Sequence, residues 1–314
     1  MRITILAFNL GPTRSFTNGP GMSLYNLCKA ISKTVKINIF LSLKAEIKIP
    51  NCNIFSINDS SSLKKSIAES SVIHCWSGLT KSLSGHADLI SGSNKPTILG
   101  PNLFDCVEMS KERDLLKKIR FDKILSVNDR LRYQIALKHK ISPQLIETFI
   151  VGPDMQAWTP TKEDGGFILW KGNSKHHVKD VKFAIRLKER LTKYNFKIMG
   201  YPNPYDYLGH ISEAKSASLY INTSLSETKS QTLMESWASG VPSVTHPKIY
   251  LHGKNYETGI ITNKTLDDYS EAIREIMESK ILRRNLSIGA RNYAVSNFSN
   301  NTLVEKYLDI INRL

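Results

Sequence analysis

The chain has 314 residues, with 43 Lys+Arg against 28 Asp+Glu and four cysteines. At 41% hydrophobic it holds enough apolar material for packed cores, which excludes a wholly disordered chain, and its length suggests two domains. No run reaches the ~18–20 apolar residues of a membrane-spanning helix. The scattered cysteines Cys28, Cys52, Cys75 and Cys106 form no CxxC pair, so free thiols in a reducing cytoplasm are expected rather than disulfides or zinc. The opening MRITILAF carries no small-residue cleavage site and reads as a first strand, not a secretory signal.

Apolar runs at Ile3–Phe8, Lys36–Leu41, Asn53–Ile57, Val72–Trp76, Pro96–Leu99, Lys123–Val127 and Glu147–Val151 are continuous rather than alternating. Parallel strands covered on both faces have that pattern. Helical spacing fills the gaps: Met22–Lys33, Ser62–Ala68 after the cap candidate Asp59, and Asp129–Lys138. A polar, turn-rich stretch with Gly152, Pro153, Asp154, Pro160 and Gly166 then interrupts the pattern. It restarts with strands Phe167–Lys171, Phe196–Met199, Ser218–Ile221 and Ser243–Thr245, and helices Lys179–Leu191, Leu266–Ser279, Leu282–Asn297 and Thr302–Leu314. Strand–helix alternation on both sides of the break predicts two Rossmann-like α/β domains, 1–152 and 167–314, joined by a linker at 153–166. Ligands of such sheets bind beyond the carboxyl ends of the strands.

The stretch Asn222–Val244, NTSLSETKSQTLMESWASGVPSV, concentrates the chemistry. A buried strand ends in a loop of small polar residues holding Glu227. Ser230 is placed to cap a helix over Gln231–Ser239, and Gly240 and Pro242 end it. The N–H groups at residues 229–232, with the positive end of the helix dipole behind them, suit a diphosphate. Glu227 and, eight residues on, Glu235 suit hydroxyl-rich groups, because a carboxylate accepts strong hydrogen bonds from sugar hydroxyls.

Glu227 and Glu235 at this spacing, followed by ASGVPSV, resemble the hallmark of retaining glycosyltransferases of the GT-B fold, in particular the family 4 group. Gly172-Asn173, five residues, then Lys179-Asp180 is similar to that group's Gly-Arg, five residues, Lys-Gly pattern. FIVGPDMQAWTP (149–160), ILSVNDRL (124–131) and GPGMSLYNL (19–27) resemble its interdomain segment, a strand-end element and its glycine-rich loop. Three positions depart from the pattern. Asn173 stands for the usual Arg, with Lys175 as a substitute cation. Lys229-Ser230 stands for Phe-Gly, and Gly100-Pro101-Asn102 for a segment with a histidine.

The resemblance implies GT-B architecture, two Rossmann-like domains facing each other across a cleft, with helices closing the chain. It implies transfer from a nucleotide-diphosphate sugar as co-substrate, with no resident cofactor. Lys179 would meet the charge on the leaving diphosphate, and Glu227 the transferred sugar. Glu235 would take the ribose, and Gly172, Asn173, Lys175, Ser230, Gln231 and Thr232 the rest of the donor. Gly19, Gly21, His74 and Asn102 would form the acceptor and diphosphate loop; a structural role for His74 stays equally open. No metal is expected: the sequence holds no Asp-x-Asp, and His176 and His177, adjacent on a helix, would diverge by ~100°.

Residues 1–150 carry 21 Lys+Arg against 11 Asp+Glu, and Lys111–Lys123 with Arg130, Arg132, Lys138 and Lys140 supplies a candidate basic platform. An acidic acceptor or surface, either an anionic membrane or DNA, is the expected partner, for a cytoplasmic protein with a peripheral membrane station as one option. Two other readings stay open: a degenerate GT-B protein that only binds nucleic acid or membrane, and a GT-B nucleotide-sugar epimerase.

Overall fold

The structure, a computed structural model, describes residues 1–11, 19–45, 47–77, 83, 85–102, 109–161, 164–201, 211–249 and 253–314. Cys106 lies outside them; Cys28, Cys52 and Cys75 are free thiols. Contacts divide the chain into two units, Met1–Val151 with Asn300–Leu314, and Gly152–Ser299.

The first unit has a seven-stranded sheet: β1 (Arg2–Ala7), β2 (Lys36–Leu41), β3 (Cys52–Ser56), β4 (Val72–Ser77), β5 (Thr97–Asn102), β6 (Lys123–Ser126) and β7 (Ile146–Thr148). The spatial order is β3-β2-β1-β4-β5-β6-β7, and every neighbouring pair is parallel. Parallel pairing needs crossovers. They carry helices α1 (Gly19–Ile31), α2 (Ser60–Glu69), α3 (Ala87–Ser91), α4 (Met109–Lys118) and α5 (Asp129–His139). Side chains alternate between the faces of a strand. Ile3, Ile5 and Ala7 of β1 accordingly join one apolar cluster with Leu24 and Leu27 of α1, while Leu6 joins another with Leu63 and Ile67 of α2. Asp59 caps α2 as expected, its carboxylate accepting from the Ser62 N–H at 3.1 Å.

The second unit has a five-stranded parallel sheet: β8 (Phe167–Lys171), β9 (Asn195–Met199), β10 (Leu219–Ile221), β11 (Ser243–Thr245) and β12 (Gly259–Ile261). Its order is β12-β11-β10-β8-β9, so the winding reverses between β8 and β10. Loops leaving the two strands on either side of such a switch point diverge and open a crevice. The helices are α6 (Val181–Arg190), α7 (Ile211–Lys215), α8 (Gln231–Ala238), α9 (Leu266–Glu278) and α10 (Lys280–Phe298). The strand β12 was not anticipated. It has three residues and starts at a glycine with φ +152°, where a Cβ would stand 1.9 Å from the Ser243 carbonyl oxygen. A short strand led by glycine carries little periodic signal.

Two expected boundaries are corrected. The segment 153–166 belongs to the second unit, with Met155 and Trp158 buried. The chain's last helix, α11 (Asn300–Asn312), belongs to the first unit rather than to 167–314. Its Leu303, Tyr307, Ile310 and Ile311 pack with Ile3, Leu24 and Leu27, and Arg313 reaches Glu147 at 2.9 Å. An apolar stripe shows that a helix covers something, not which of two sheets. Among the described residues, no helix is long and apolar enough to cross a membrane.

Candidate functional site

The switch point of the second unit collects the residues singled out in Asn222–Val244. The loop leaving β8 is stitched to the loop leaving β10. Leu225 N–H donates to the Val178 carbonyl at 2.7 Å, and the Thr223 hydroxyl lies 3.0 Å from the carbonyls of both Lys179 and Asp180. The Trp170 indole donates to that hydroxyl at 2.8 Å. This stitching brings Lys179 Nζ to 2.8 Å from Glu227 Oε1. Glu227 also accepts from the Ser224 hydroxyl. Lys179 does not begin α6, as the sequence had suggested. It ends a 3-10 turn, and Asp180, in the left-handed region at φ 48°, caps α6 by accepting from Phe183 N–H. The anion that compensates Lys179 here is Glu227, across the crevice.

The helix α8 starts beside this pair. The Ser230 hydroxyl accepts from Leu233 N–H at 3.4 Å and from the Asn222 amide at 3.1 Å. The N–H groups of Gln231 and Thr232, first in the helix, have no intrahelical acceptor. Both polar atoms of the Gln231 carboxamide are enclosed and make no hydrogen bond with the described residues. An enclosed amide with four unmet valences, beside free N–H groups at a helix amino end, suits a polar or anionic ligand. The Thr232 hydroxyl, in contrast, is engaged by Tyr220 at 2.7 Å.

The remaining donor-side residues divide. Gly172 lies under the Trp170 ring, where a Cβ would stand 3.1 Å away, and its N–H binds the Met199 carbonyl. The Asn173 carboxamide oxygen accepts from Lys175 N–H at 3.0 Å, so it shapes a turn on the surface. Lys175 is exposed and has no ion pair with a described residue. Glu235 differs most from expectation. It is 1% exposed and does not open to the crevice. Its Oε2 lies 3.0 Å from Nζ of Lys171, itself as buried, and that ammonium stands 4.5 Å from the centre of the Trp158 ring. Lysine is almost never buried without a partner, and Lys171 has both a carboxylate and an aromatic face.

Three groups escaped sequence reasoning. Lys171 closes the strand run FILWK and has no assigned role there. Lys229 was noted only as a departure; burial holds its ammonium down to about 7, against the pull of Glu235. His246 follows β11 and supports the Glu227 loop. Its Nε2–H donates to the Ser224 carbonyl at 2.6 Å, and its Nδ1 faces Lys248 N–H at 3.4 Å. Burial keeps this imidazole neutral, below its usual pKa. A histidine just past a strand was the available signal.

In the first unit, Gly19 and Gly21 open α1 after β1, and the Trp76 indole of β4 donates to the Pro20 carbonyl at 3.1 Å. The start of α1 thus sits at the β1–β4 switch point. Asn102 ends β5. His74 is corrected as an acceptor contact. It is fully buried; its Nε2–H donates to the Gly100 carbonyl and its Nδ1 accepts from the Tyr307 hydroxyl, both at 2.7 Å. Both nitrogens are engaged inside the unit, and burial lowers the pKa to about 4. Among the described residues, no three His, Cys, Asp or Glu are placed to hold a metal ion.

No protein-family model and no curated protein sequence matches this chain. Its backbone is similar to solved structures. HepE of Anabaena, solved in complex with UDP, matches at TM-score 0.71 and 12% identity over 100% of both chains. Sucrose-phosphate synthase from Thermosynechococcus elongatus matches at TM-score 0.70 and 10% identity, over 99% of this chain and 98% of that one. A glycosyltransferase from Rickettsia africae matches at TM-score 0.70 and 14% identity, again over 99% and 98%. The chain has the α/β GT-B fold of these proteins.

Proposed function

We propose that this chain is a retaining glycosyltransferase that moves a sugar from a nucleotide-diphosphate sugar to an acceptor, without a metal ion. The observation that carries the proposal is the Lys179–Glu227 pair, 2.8 Å apart at the amino end of α8, on the switch point where a doubly wound sheet binds its ligand. The shared fold adds support, since HepE has been solved with UDP-glucose.

In this reading the diphosphate takes the place at the first N–H groups of α8. Lys179 moves from Glu227 to the phosphate that departs, where negative charge grows as the anomeric C–O bond breaks. Glu227, released, accepts from a sugar hydroxyl and offsets positive character at the anomeric carbon. The acceptor oxygen bonds to that carbon on the face the phosphate leaves, and the phosphate takes the acceptor's proton. Gln231 supplies the amide that reads the donor. Glu235 reaches the ribose only by sharing its carboxylate with Lys171. The positive excess of residues 1–150 supports an acidic acceptor or surface.

A thermal-shift series with UDP-, GDP- and ADP-sugars, followed by transfer assays, tests the proposal. At ~100 times its dissociation constant, the right donor stabilises by about 2.7 kcal/mol. Sugar nucleotide consumed only when acceptor is present supports transfer; consumption without acceptor points to an epimerase. Failure of every donor to stabilise the protein rejects the proposal.

A further inference from the structure

A second pocket lies at the opposite edge of the same sheet. Asp164, Ser218 and Pro242, which lead into β8, β10 and β11, line it. The strands are parallel, so this is the amino edge, whereas Lys179 and Glu227 occupy the carboxyl edge. The pocket has a volume of about 430 Å3, within the range of small-molecule sites. Among the described residues, its charged lining is Lys215, Lys280, Arg283 and Arg284 against Asp164.

Arg283 accounts for that carboxylate. Its guanidinium lies 3.2 Å from Asp164 Oδ2 and 2.9 Å from the Met277 carbonyl. Among the described residues, Lys215 meets the neutral Thr159 hydroxyl at 3.3 Å and has no ion pair, and Lys280 and Arg284 have none either. Lys280 and Arg283 stand in the first turn of the 19-residue α10, which has no acidic residue there, and Arg284 follows directly. Cations at a helix amino end oppose the dipole, and an anion between them removes the conflict. Independently, Ser239 forms part of the wall, is 4% exposed, and has a hydroxyl with no hydrogen-bond partner among the described residues.

We propose that this pocket binds the phosphoryl group of a small phosphate monoester, separately from the candidate donor site. Lys215, Lys280 and Arg284 neutralise the dianion, and the Ser239 hydroxyl donates to one of its oxygens. The remaining volume takes the organic part of the ligand.

Isothermal titration of the full chain with glycerol 3-phosphate and with inorganic phosphate, at ionic strength held constant with chloride, tests this. The monoester is expected to bind wild type and Lys179→Ala alike, one per chain. Lys280→Ala and Arg284→Ala should each weaken it about tenfold, the effect of losing one charge-assisted hydrogen bond. Ser239→Ala should weaken it several-fold without lowering the melting temperature, because its hydroxyl has no partner to lose. The proposal is overturned if wild type binds no monoester, if Lys179→Ala abolishes binding, or if Lys280→Ala, Arg284→Ala and Ser239→Ala all bind as wild type does. Inorganic phosphate binding as tightly as glycerol 3-phosphate overturns the choice of a monoester.

Discussion

Two lysine–glutamate pairs join 171–179 to the Asn222–Val244 stretch in the second unit, and they differ in exposure. Lys171 and Glu235 are each 2% exposed at the side chain, whereas Lys179 is 29% exposed. Breaking a buried pair leaves an uncompensated charge, so Lys171→Met should cost about 3–5 kcal/mol in denaturant unfolding. The double variant Lys171→Met with Glu235→Leu should cost less than the single one. Lys179→Ala should cost about 1 kcal/mol or less in stability. Its effect should fall on transfer instead, lowered about 100- to 1000-fold, as should that of Glu227→Gln. Unchanged turnover in both variants refutes the site. Lys229 adds a pH dependence. Its folded pKa, near 7, lies below its unfolded value, so its burial favours the fold at high pH and that contribution is lost as pH falls towards 7. Ligand binding has the opposite sign: Lys229 is charged below about pH 7, and UDP affinity should fall as pH rises through that value. Titrations of UDP at several pH values should show this slope in wild type and not in Lys229→Met.

At the scale of elements, α8 depends on its two ends. Ser230→Ala removes the hydroxyl that caps it and holds the Asn222 amide, at a cost of about 1 kcal/mol. Gly240, at φ +70°, ends the helix in the left-handed region, where alanine costs ~1–2 kcal/mol. Thermal unfolding of both variants measures this, and a stable Gly240→Ala would contradict the geometry. The same helix shows how much the sequence discloses. Ser230, Gly240 and the apolar face of Leu233, Met234 and Trp237 are local signals, and the structure places all of them as the spacing indicates. The strands Lys36–Leu41, Phe167–Lys171 and Ser243–Thr245 were legible to the residue for the same reason. What depends on distant partners was not legible. Nothing near Glu235 in the chain shows that a lysine 64 positions earlier would take its carboxylate. Nothing near His74 shows that Tyr307 would claim its Nδ1.

For the whole molecule, acid is the sensitive direction. His74 is buried and neutral with a pKa of about 4, against an unfolded value near 6.5. A base with a depressed folded pKa stabilises fully above its unfolded value, and that stability drains away as pH falls from 6.5 to about 4. The shift amounts to about 3 kcal/mol. Unfolding titrations at pH 7 and at about pH 4 should show that loss in wild type and a shallower dependence in His74→Gln. His246, also held neutral by burial, acts in the same sense. The last helix matters just as much: a chain ended after Ser299 loses Tyr307 and the apolar face of α11. Its first unit should melt early while the second keeps its own transition in calorimetry.

The first unit is sealed by residues that come after the second unit in the chain. During synthesis, the segment 152–299 leaves the ribosome whole and is free to mature on its own. The earlier sheet must wait, with the greasy surface around Ile3 and Leu27 uncovered, until residues 300–314 arrive. The newborn protein is therefore most exposed to aggregation late rather than early, and a chain cut short before residue 300 holds one finished half and one unfinished half.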